Sequence, residues 1–275
     1  MIEINSPAKI NIGLNITEKR SDGYHNIETI FYPVKLFDVI KFYKEDSDSF
    51  KCNNLKLMDE KNNLILKAKE ILELKFNRKF NLKIELDKNI PIGAGMGGGS
   101  SDAASTLHSI NILYGLNLFK TELHELAIKL GSDVPFFLDP RPSYASGRGE
   151  LLSIIDFSLN SNLLIVNPGI HISTKWAYDN IVPKRPLSSM SEIINEKIDI
   201  EKFKDIFKND FESVVFKKFP EIQSIKTDMY KMGADFSLMT GSGSTVFGVF
   251  NEIENAKKAE KKFQKKYFTF LQLKE

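Results

Sequence analysis

The run Pro91-Ile92-Gly93-Ala94-Gly95-Met96-Gly97-Gly98-Gly99-Ser100-Ser101-Asp102 places five glycines in seven positions directly before two serines. Glycine lets backbone N–H groups approach an anion without Cβ interference, and a helix N-terminus adds the positive end of its dipole, so this stretch suits phosphate. Ser100 or Ser101 offers a hydroxyl to cap the helix that follows. Ala103, Leu107, Ile110 and Tyr114 then recur at helical spacing. A flexible linker is the bland alternative, but linker glycines seldom run straight into a capped amphipathic helix.

Two better-known glycine patterns fail. Gly93, Gly95 and Gly98 formally satisfy G-x-G-x-x-G, yet no recognisable βαβ unit surrounds them and no acidic strand end follows at the expected place. No lysine follows the glycines as a Walker motif requires, and the chain has neither H-R-D nor D-F-G. A dinucleotide fold and a protein kinase are both excluded.

Other residues have chemistry to offer, each with an ordinary competing role. Lys9 and Asn11 share one face of an alternating strand, where a lysine is commonly solvated. Asp133 lies between Gly131, a helix C-cap, and Pro135, so spacing alone favours an N-cap of a short following helix. Asp102 falls in the first turn of the phosphate-facing helix, where a charge beside triphosphate would repel unless it turns away or meets a cation, so it reads as structural or as supporting a residue that touches the ligand. His108, His124 and His171 look like helix or strand-end residues, and no paired spacing supports zinc.

The whole chain bounds the reading. Its 275 residues are 42% hydrophobic, enough for two domains, which we expect at 1–155 and 156–275. With 38 basic and 36 acidic side chains the net charge is +2, without the field that nucleic-acid binders use. Cys52 is the lone cysteine, which rules out an intramolecular disulfide and a cysteine-based metal site. Neither a signal segment nor a membrane span is legible. The expectation is therefore a cytosolic protein, or a plastid one if a transit peptide was removed, with no nucleic-acid or membrane partner.

The elements that must position these groups follow from periodicity. Residues 8–16 alternate as a half-buried strand; strands at 29–34, 38–43 and 80–86 and helices at 62–75, 101–114 and 121–130 complete a mixed first half. Arg20-Ser-Asp-Gly23 predicts a hairpin. The second half shows strands at 163–166, 236–239, 245–250 and 267–271, with helices at 173–181, 199–217 with a break, 220–232 and 254–266. That order is a small α/β sandwich.

Three separated segments, Pro7-Ala-Lys-Ile-Asn11, Pro91 to Ala104 and Met239-Thr-Gly-Ser-Gly-Ser-Thr245, together resemble the GHMP kinase superfamily. Lys19-Arg-Ser-Asp-Gly-Tyr-His25 resembles the branch whose substrate carries cytidine diphosphate, and Asp133-Val-Pro-Phe-Phe137 and Gly147-Arg-Gly-Glu150 agree. Met96 stands where Leu is usual and Ser244 where Pro is usual; the first conserves volume and the second loosens a turn.

The resemblance implies an α+β, two-domain fold: an N-terminal α/β sandwich with a left-handed βαβ element, then a ferredoxin-like domain. It implies ATP with Mg²⁺ as cofactor and a small-molecule alcohol as acceptor, in a monomer or weak homodimer. Lys9 and Asp133 become the catalytic pair. Residues 91–101 and Asn63, with Leu64 beside it, become the ATP site, although Asn62 leaves the cap assignment ambiguous. Ser101 is a candidate magnesium ligand. Asn11, Tyr24, His25, Thr174, Tyr178, Gly241, Ser242 and Gly243 become the acceptor site, where Tyr24 and Tyr178 would flank a pyrimidine and His25 would bond its edge; Trp176 could replace Tyr178 or fill core. Mevalonate, homoserine or a sugar remain rival acceptors, and a silent nucleotide sensor or RNA-binding relative a rival class.

Overall fold

The computed structural model describes residues 1–58, 63–186, 189–194 and 207–274. It opens on two long paired strands, β1 (Ile2–Lys19) and β2 (His25–Lys44). The turn between them is the expected one: Gly23 takes φ +85°, and Asp22 Oδ1 accepts from the Tyr24 N–H at 3.1 Å. The two strands expected at 29–34 and 38–43 are one, since Pro33 does not interrupt β2. β1 is not half-buried either. From Ala8 to Leu14 every residue is buried or nearly so, so the face carrying Lys9 and Asn11 is as enclosed as the apolar one.

The chain forms two compact units, both of which draw on β1 and β2. In the first unit (Met1–Lys9, Pro33–Ile92, Gly97–Pro140), residues 39–44 of β2 pair antiparallel with β4 (Leu82–Asp87), and β4 runs parallel to β3 (Ser49–Cys52). A short helix α1 (Leu55–Met58) and then α2 (Leu64–Phe76) connect β3 to β4, making a β–α–β unit just ahead of the glycine run. Asn63 caps α2 through Oδ1, which accepts from the Ile65 N–H at 2.9 Å; Asn62 lies outside the described residues.

α3 (Gly98–Tyr114) packs against α2 and buries Ala103, Ala104, Leu107 and Ile110, and it ends at Gly115 in the left-handed conformation that a C-terminal glycine supplies. Its start corrects the sequence reading. Gly97, not Ser100 or Ser101, occupies the cap position, with φ +70° and no side-chain hydrogen bond. The serines fall inside the first turns, and the leading N–H groups of α3 remain uncapped by any hydroxyl. α4 (Lys120–Leu130) and a 3₁₀ turn over Val134–Leu138 complete this unit.

The second unit comprises Ile10–Tyr32, Gly93–Met96 and Arg141–Glu275. Residues 29–31 of β2 pair antiparallel with β5 (Ser143–Ser146), which pairs with β6 (Leu151–Ile154). A separate antiparallel sheet has the order β10-β7-β9-β8, built from Asn162–Asn167, Phe236–Met239, Val246–Phe250 and Phe268–Gln272 for β7 to β10. The first of these strands sits centrally beside the last, which is the split βαβ order of ferredoxin-like folds.

Its helices are α5 (Thr174–Asn180), α6 (Met190–Ile194), α7 (Glu212–Lys218), α8 (Pro220–Lys231) and α9 (Ile253–Phe263). Ile222, Ile225 and Met229 of α8 and Ala256, Ala259 and Phe263 of α9 pack with Leu164, Val166, Val246 and Phe250 of the sheet. Of the helix expected at 199–217, residues 199–206 lie outside the described residues and Glu212–Lys218 is helical. Among the described residues no helix is long and apolar enough to cross a membrane.

Candidate active site

β1 delivers Lys9 into the first unit with only 3% of its surface exposed. Its Nζ lies 3.5 Å from Asp133 Oδ2, so two residues separated by most of the domain's sequence meet as an ion pair. Burial pushes the Lys9 pKa below its ordinary value, and Asp133 works against that shift. Asp133 sits at the head of the 3₁₀ turn but makes no side-chain cap, so the cap reading is corrected. Its carboxylate is 34% exposed and open to a ligand. The pair also touches the glycine run: a Cβ on Gly97 would meet the Phe137 ring at 2.7 Å and Lys9 Cγ at 3.2 Å. Lys9, Asp133 and the start of α3 therefore form one cluster.

The glycine run has Leu64 as a neighbour. Leu64 Cδ1 is 3.8 Å from the position a Gly99 Cβ would take, and Asn63 beside it is 7% exposed. Ser101 Oγ is buried and has no hydrogen-bond partner among the described residues. Asp102 is buried as well. Its Oδ2 accepts from Lys88 Nζ at 2.9 Å while Oδ1 has no partner, and burial pushes its pKa up to about 7 against the pull of Lys88. It faces a lysine inside the domain, where the sequence reading expected a residue that is structural or acts through another.

In the second unit, the Asn11 N–H donates to Thr240 Oγ1 at 2.9 Å and Asn11 Nδ2 donates to Thr29 Oγ1 at 2.9 Å. Thr240 Oγ1 donates in turn to the Gly95 carbonyl at 3.2 Å. Gly95, at φ +75°, has no room for a Cβ, which would run into the Thr240 carbonyl oxygen. Gly241 approaches as closely, its absent Cβ 3.0 Å from the Gly95 carbonyl oxygen. Thr174 and Ser242 hydroxyls share a hydrogen bond at 3.1 Å. Asn11, Thr174, Gly95 and the 241–243 turn are thus brought together. Ser244 is fully buried beside Asn167 Nδ2, so it seats the turn where looseness was expected.

The aromatic expectation needs revision. His25 and Tyr178 stack on each other with centroids 4.8 Å apart and planes 18° from parallel, and Phe211 meets Tyr178 edge-on. Tyr178 therefore positions His25, and its ring is not an open face awaiting a base. Burial, then Lys19, lower the His25 pKa, which favours the neutral imidazole. Tyr24 is 52% exposed, with the Arg148 guanidinium 4.6 Å from its ring centroid. Trp176 goes elsewhere, against Phe219 and Lys218.

Sequence reasoning missed Thr240, which shares the glycine motif but looked like scaffold, and Thr29 and Asn209. Asn209 Nδ2 holds the Met239 and Gly241 carbonyls at 2.7 and 2.8 Å. It missed Lys88 and Asp38 as well. A lysine three residues before Pro91 was the available signal for the former.

A helix start behind glycines, with a buried lysine and an open carboxylate beside it, is an arrangement suited to phosphoryl transfer. Residues 63–139 match the family model for the GHMP kinases N terminal domain and residues 190–269 that for GHMP kinases C terminal. The chain is 41% identical over 98% of its length and 96% of the relative's to 4-diphosphocytidyl-2-C-methyl-D-erythritol kinase of Chlorobium luteolum. With that kinase of Chlorobium chlorochromatii it is 42% identical over 90% of this chain and 88% of the other. A crystal structure of 4-(cytidine 5'-diphospho)-2C-methyl-D-erythritol kinase superposes with a TM-score of 0.83 at 30% identity, covering 98% of both chains. Homoserine kinase from Cytophaga hutchinsonii, at 16% identity over 100% of this chain and 94% of the other, shares the fold with a TM-score of 0.76. The chain is an ATP-dependent small-molecule kinase and belongs to the 4-diphosphocytidyl-2-C-methyl-D-erythritol kinase family of GHMP kinases.

Proposed function

We propose that the chain transfers the γ-phosphoryl group of ATP to the 2-hydroxyl of 4-diphosphocytidyl-2-C-methyl-D-erythritol, giving the 2-phosphate and ADP in isoprenoid precursor biosynthesis. The observation that carries the chemistry is the buried Lys9, its ammonium 3.5 Å from Asp133 and its aliphatic stem against Gly97. Phosphoryl transfer needs positioning and charge neutralisation more than covalent chemistry. Asp133, with an open carboxylate, accepts the proton of the acceptor hydroxyl; Lys9 orients that carboxylate and offsets charge on the transferring group. The N–H groups of the glycine run and the α3 start hold the phosphates. Asn63 and Leu64 border the adenine.

Magnesium would be held chiefly through the phosphates, and Ser101 Oγ, a buried hydroxyl with no partner, is the protein oxygen that fits it. When bound, the ion neutralises the triphosphate. At the acceptor end, neutral His25, held flat by Tyr178, bonds the polar edge of cytosine, and Tyr24 offers its ring to the base. Thr174, Ser242 and the 241–243 backbone line the polar part. This reading keeps the domain junction near residue 155, a cytosolic setting and a monomer or weak homodimer. Incubation with ATP, Mg²⁺ and a panel of the cytidylyl alcohol, mevalonate and homoserine tests it. Turnover of the cytidylyl alcohol alone is expected, and preference for either of the others would overturn the assignment.

A further inference from the structure

The glycine run enters from one short segment and leaves into α3, and both ends are gripped by the same buried lysine. Lys88 Nζ is hydrogen-bonded to Asp38 Oδ2 on β2 and lies 2.9 Å from Asp102 Oδ2 in the first turns of α3, with Lys88 side-chain exposure only 5%. Asp38 is fully buried, and its other oxygen accepts from the Asn89 and Ile90 N–H groups at 2.7 and 2.8 Å. Asn53 Oδ1 accepts from the Lys88 N–H at 2.9 Å, so residues 88–90 are tied by backbone as well as side chain. Gly98 completes the fit. A Cβ there would stand 2.9 Å from Lys88 Nζ and 3.0 Å from Ile90 Cγ2, so the first helical residue must be small for the ammonium to reach Asp102.

We propose that Lys88, Asp38 and Asp102 form a clasp across the neck of the nucleotide loop, a set of positioning residues that hold its two ends at a fixed separation so that its N–H groups are pre-ordered for ATP. The physical case is entropic. Five glycines make the run the most conformationally free part of the chain, and every degree of freedom left to it is paid at binding. A plain salt bridge would be a weak device for stability alone, since three buried charges cost desolvation that a packed apolar cluster would avoid. Its geometry is specific in a way an apolar cluster is not: one cation, carried on the entry segment, reaches β2 and the exit helix together. The clasp lies inside the fold on the side of Gly98 toward which its Cβ would point, and the roles of Lys9 and Asp133 do not depend on it.

The inference rests on the kinase reading, and the test separates the two. Lys88→Met, Gly98→Ala and their double variant are compared with wild type for ATP affinity by calorimetry, for KM of the cytidylyl alcohol, and for Tm. Lys88→Met is expected to weaken ATP binding by about tenfold and to shift the alcohol KM by less than about twofold. Gly98→Ala, which keeps every charge but displaces the ammonium, is expected to weaken ATP binding in the wild-type background and to cost clearly less in the Lys88→Met background, where only its contact with Ile90 remains. A lowered Tm with unchanged ATP affinity in Lys88→Met makes the cluster merely structural and overturns the proposal, as do additive effects in the double variant. If Lys88→Met does not fold, Gly98→Ala decides alone, and wild-type ATP affinity there overturns the clasp. Absent turnover of the alcohol by the wild-type chain sinks the substrate reading and leaves the ATP measurement standing.

Discussion

Replacing Asp133 with Asn removes one carboxylate charge and almost no volume. The Lys9 ammonium it faces is 3.5 Å away, and only 3% of the Lys9 residue is exposed. Coulomb's law puts unit charges at that distance at about 5 kcal/mol for an effective dielectric near 20 and about 1 kcal/mol in water. Because Asp133 is 34% exposed, the working value belongs in the lower half of that range. The ground state should therefore lose modest stability, with the Lys9 pKa moving further down for want of its counter-charge. The transition state should lose far more, since a positioned base contributes about 10²–10⁴-fold in rate. The expectation is a kcat lower by that factor with ATP affinity and the alcohol KM nearly intact, read by steady-state kinetics beside calorimetric titration. A variant keeping more than about a tenth of wild-type kcat would remove Asp133 from the mechanism. A deeper loss in Asp102→Asn would move the role to the helix.

Further outcomes follow from the same geometry. Burial holds the Lys9 pKa below 10.5, so if its ammonium is required, kcat should fall along an alkaline limb below that pH. Lys9→Arg should abolish the limb because a guanidinium stays charged, and an unchanged limb would assign it to another group. Folding lowers the His25 pKa from 6.5, so the unfolded chain binds more protons between the two values. The stability present above pH 6.5 is lost as pH falls through the folded value. His25→Phe keeps a ring against Tyr178 and should flatten that acid limb in urea midpoints; an identical pH profile would contradict the assignment. Tyr178→Ala should free His25 and raise the KM for the cytidylyl alcohol by about tenfold with the ATP KM unchanged. A change confined to the ATP KM would remove the pair from base recognition. Gly95→Ala should cost about 1–3 kcal/mol from the positive φ alone, plus the displacement of Thr240. Urea denaturation at wild-type stability would refute that.

Where a segment buries one face on a period of its own, its sequence announces it. α3 is legible because Ala103, Leu107 and Ile110 return at helical spacing, and α5, α8, α9 and β7 to β10 fall within a few residues of their expected limits for the same reason, whereas periodicity marked neither β6 nor α6. β1 is the instructive exception. Its alternation of Ile with Lys, Asn and Gly is that of a strand with one wet face, yet both faces are covered. Alternation reports polarity, and a polar face reads the same whether water or the carboxylate of an ion pair lies against it.

That ambiguity is why the site residues were legible by type and not by arrangement. Nothing local distinguishes Lys9 from a solvated strand lysine. Its role depends on Asp133, which reaches it only through the 3₁₀ turn that follows α4. Tyr178 was named through the family resemblance as a ring beside a pyrimidine, but whether its face is free or spent on His25 depends on how β2 and α5 are placed, which no spacing encodes. Lys88 was invisible for the opposite reason: one lysine among many, it acquires meaning only when two buried carboxylates and an absent Cβ converge on its Nζ. A glycine is therefore the most readable trace of such convergence. Gly95, Gly97 and Gly98 each mark a place where another group, Thr240, Phe137 or Lys88, occupies the space a side chain would need. The loop's composition, taken at first as freedom to approach phosphate, equally records how closely its own protein approaches it.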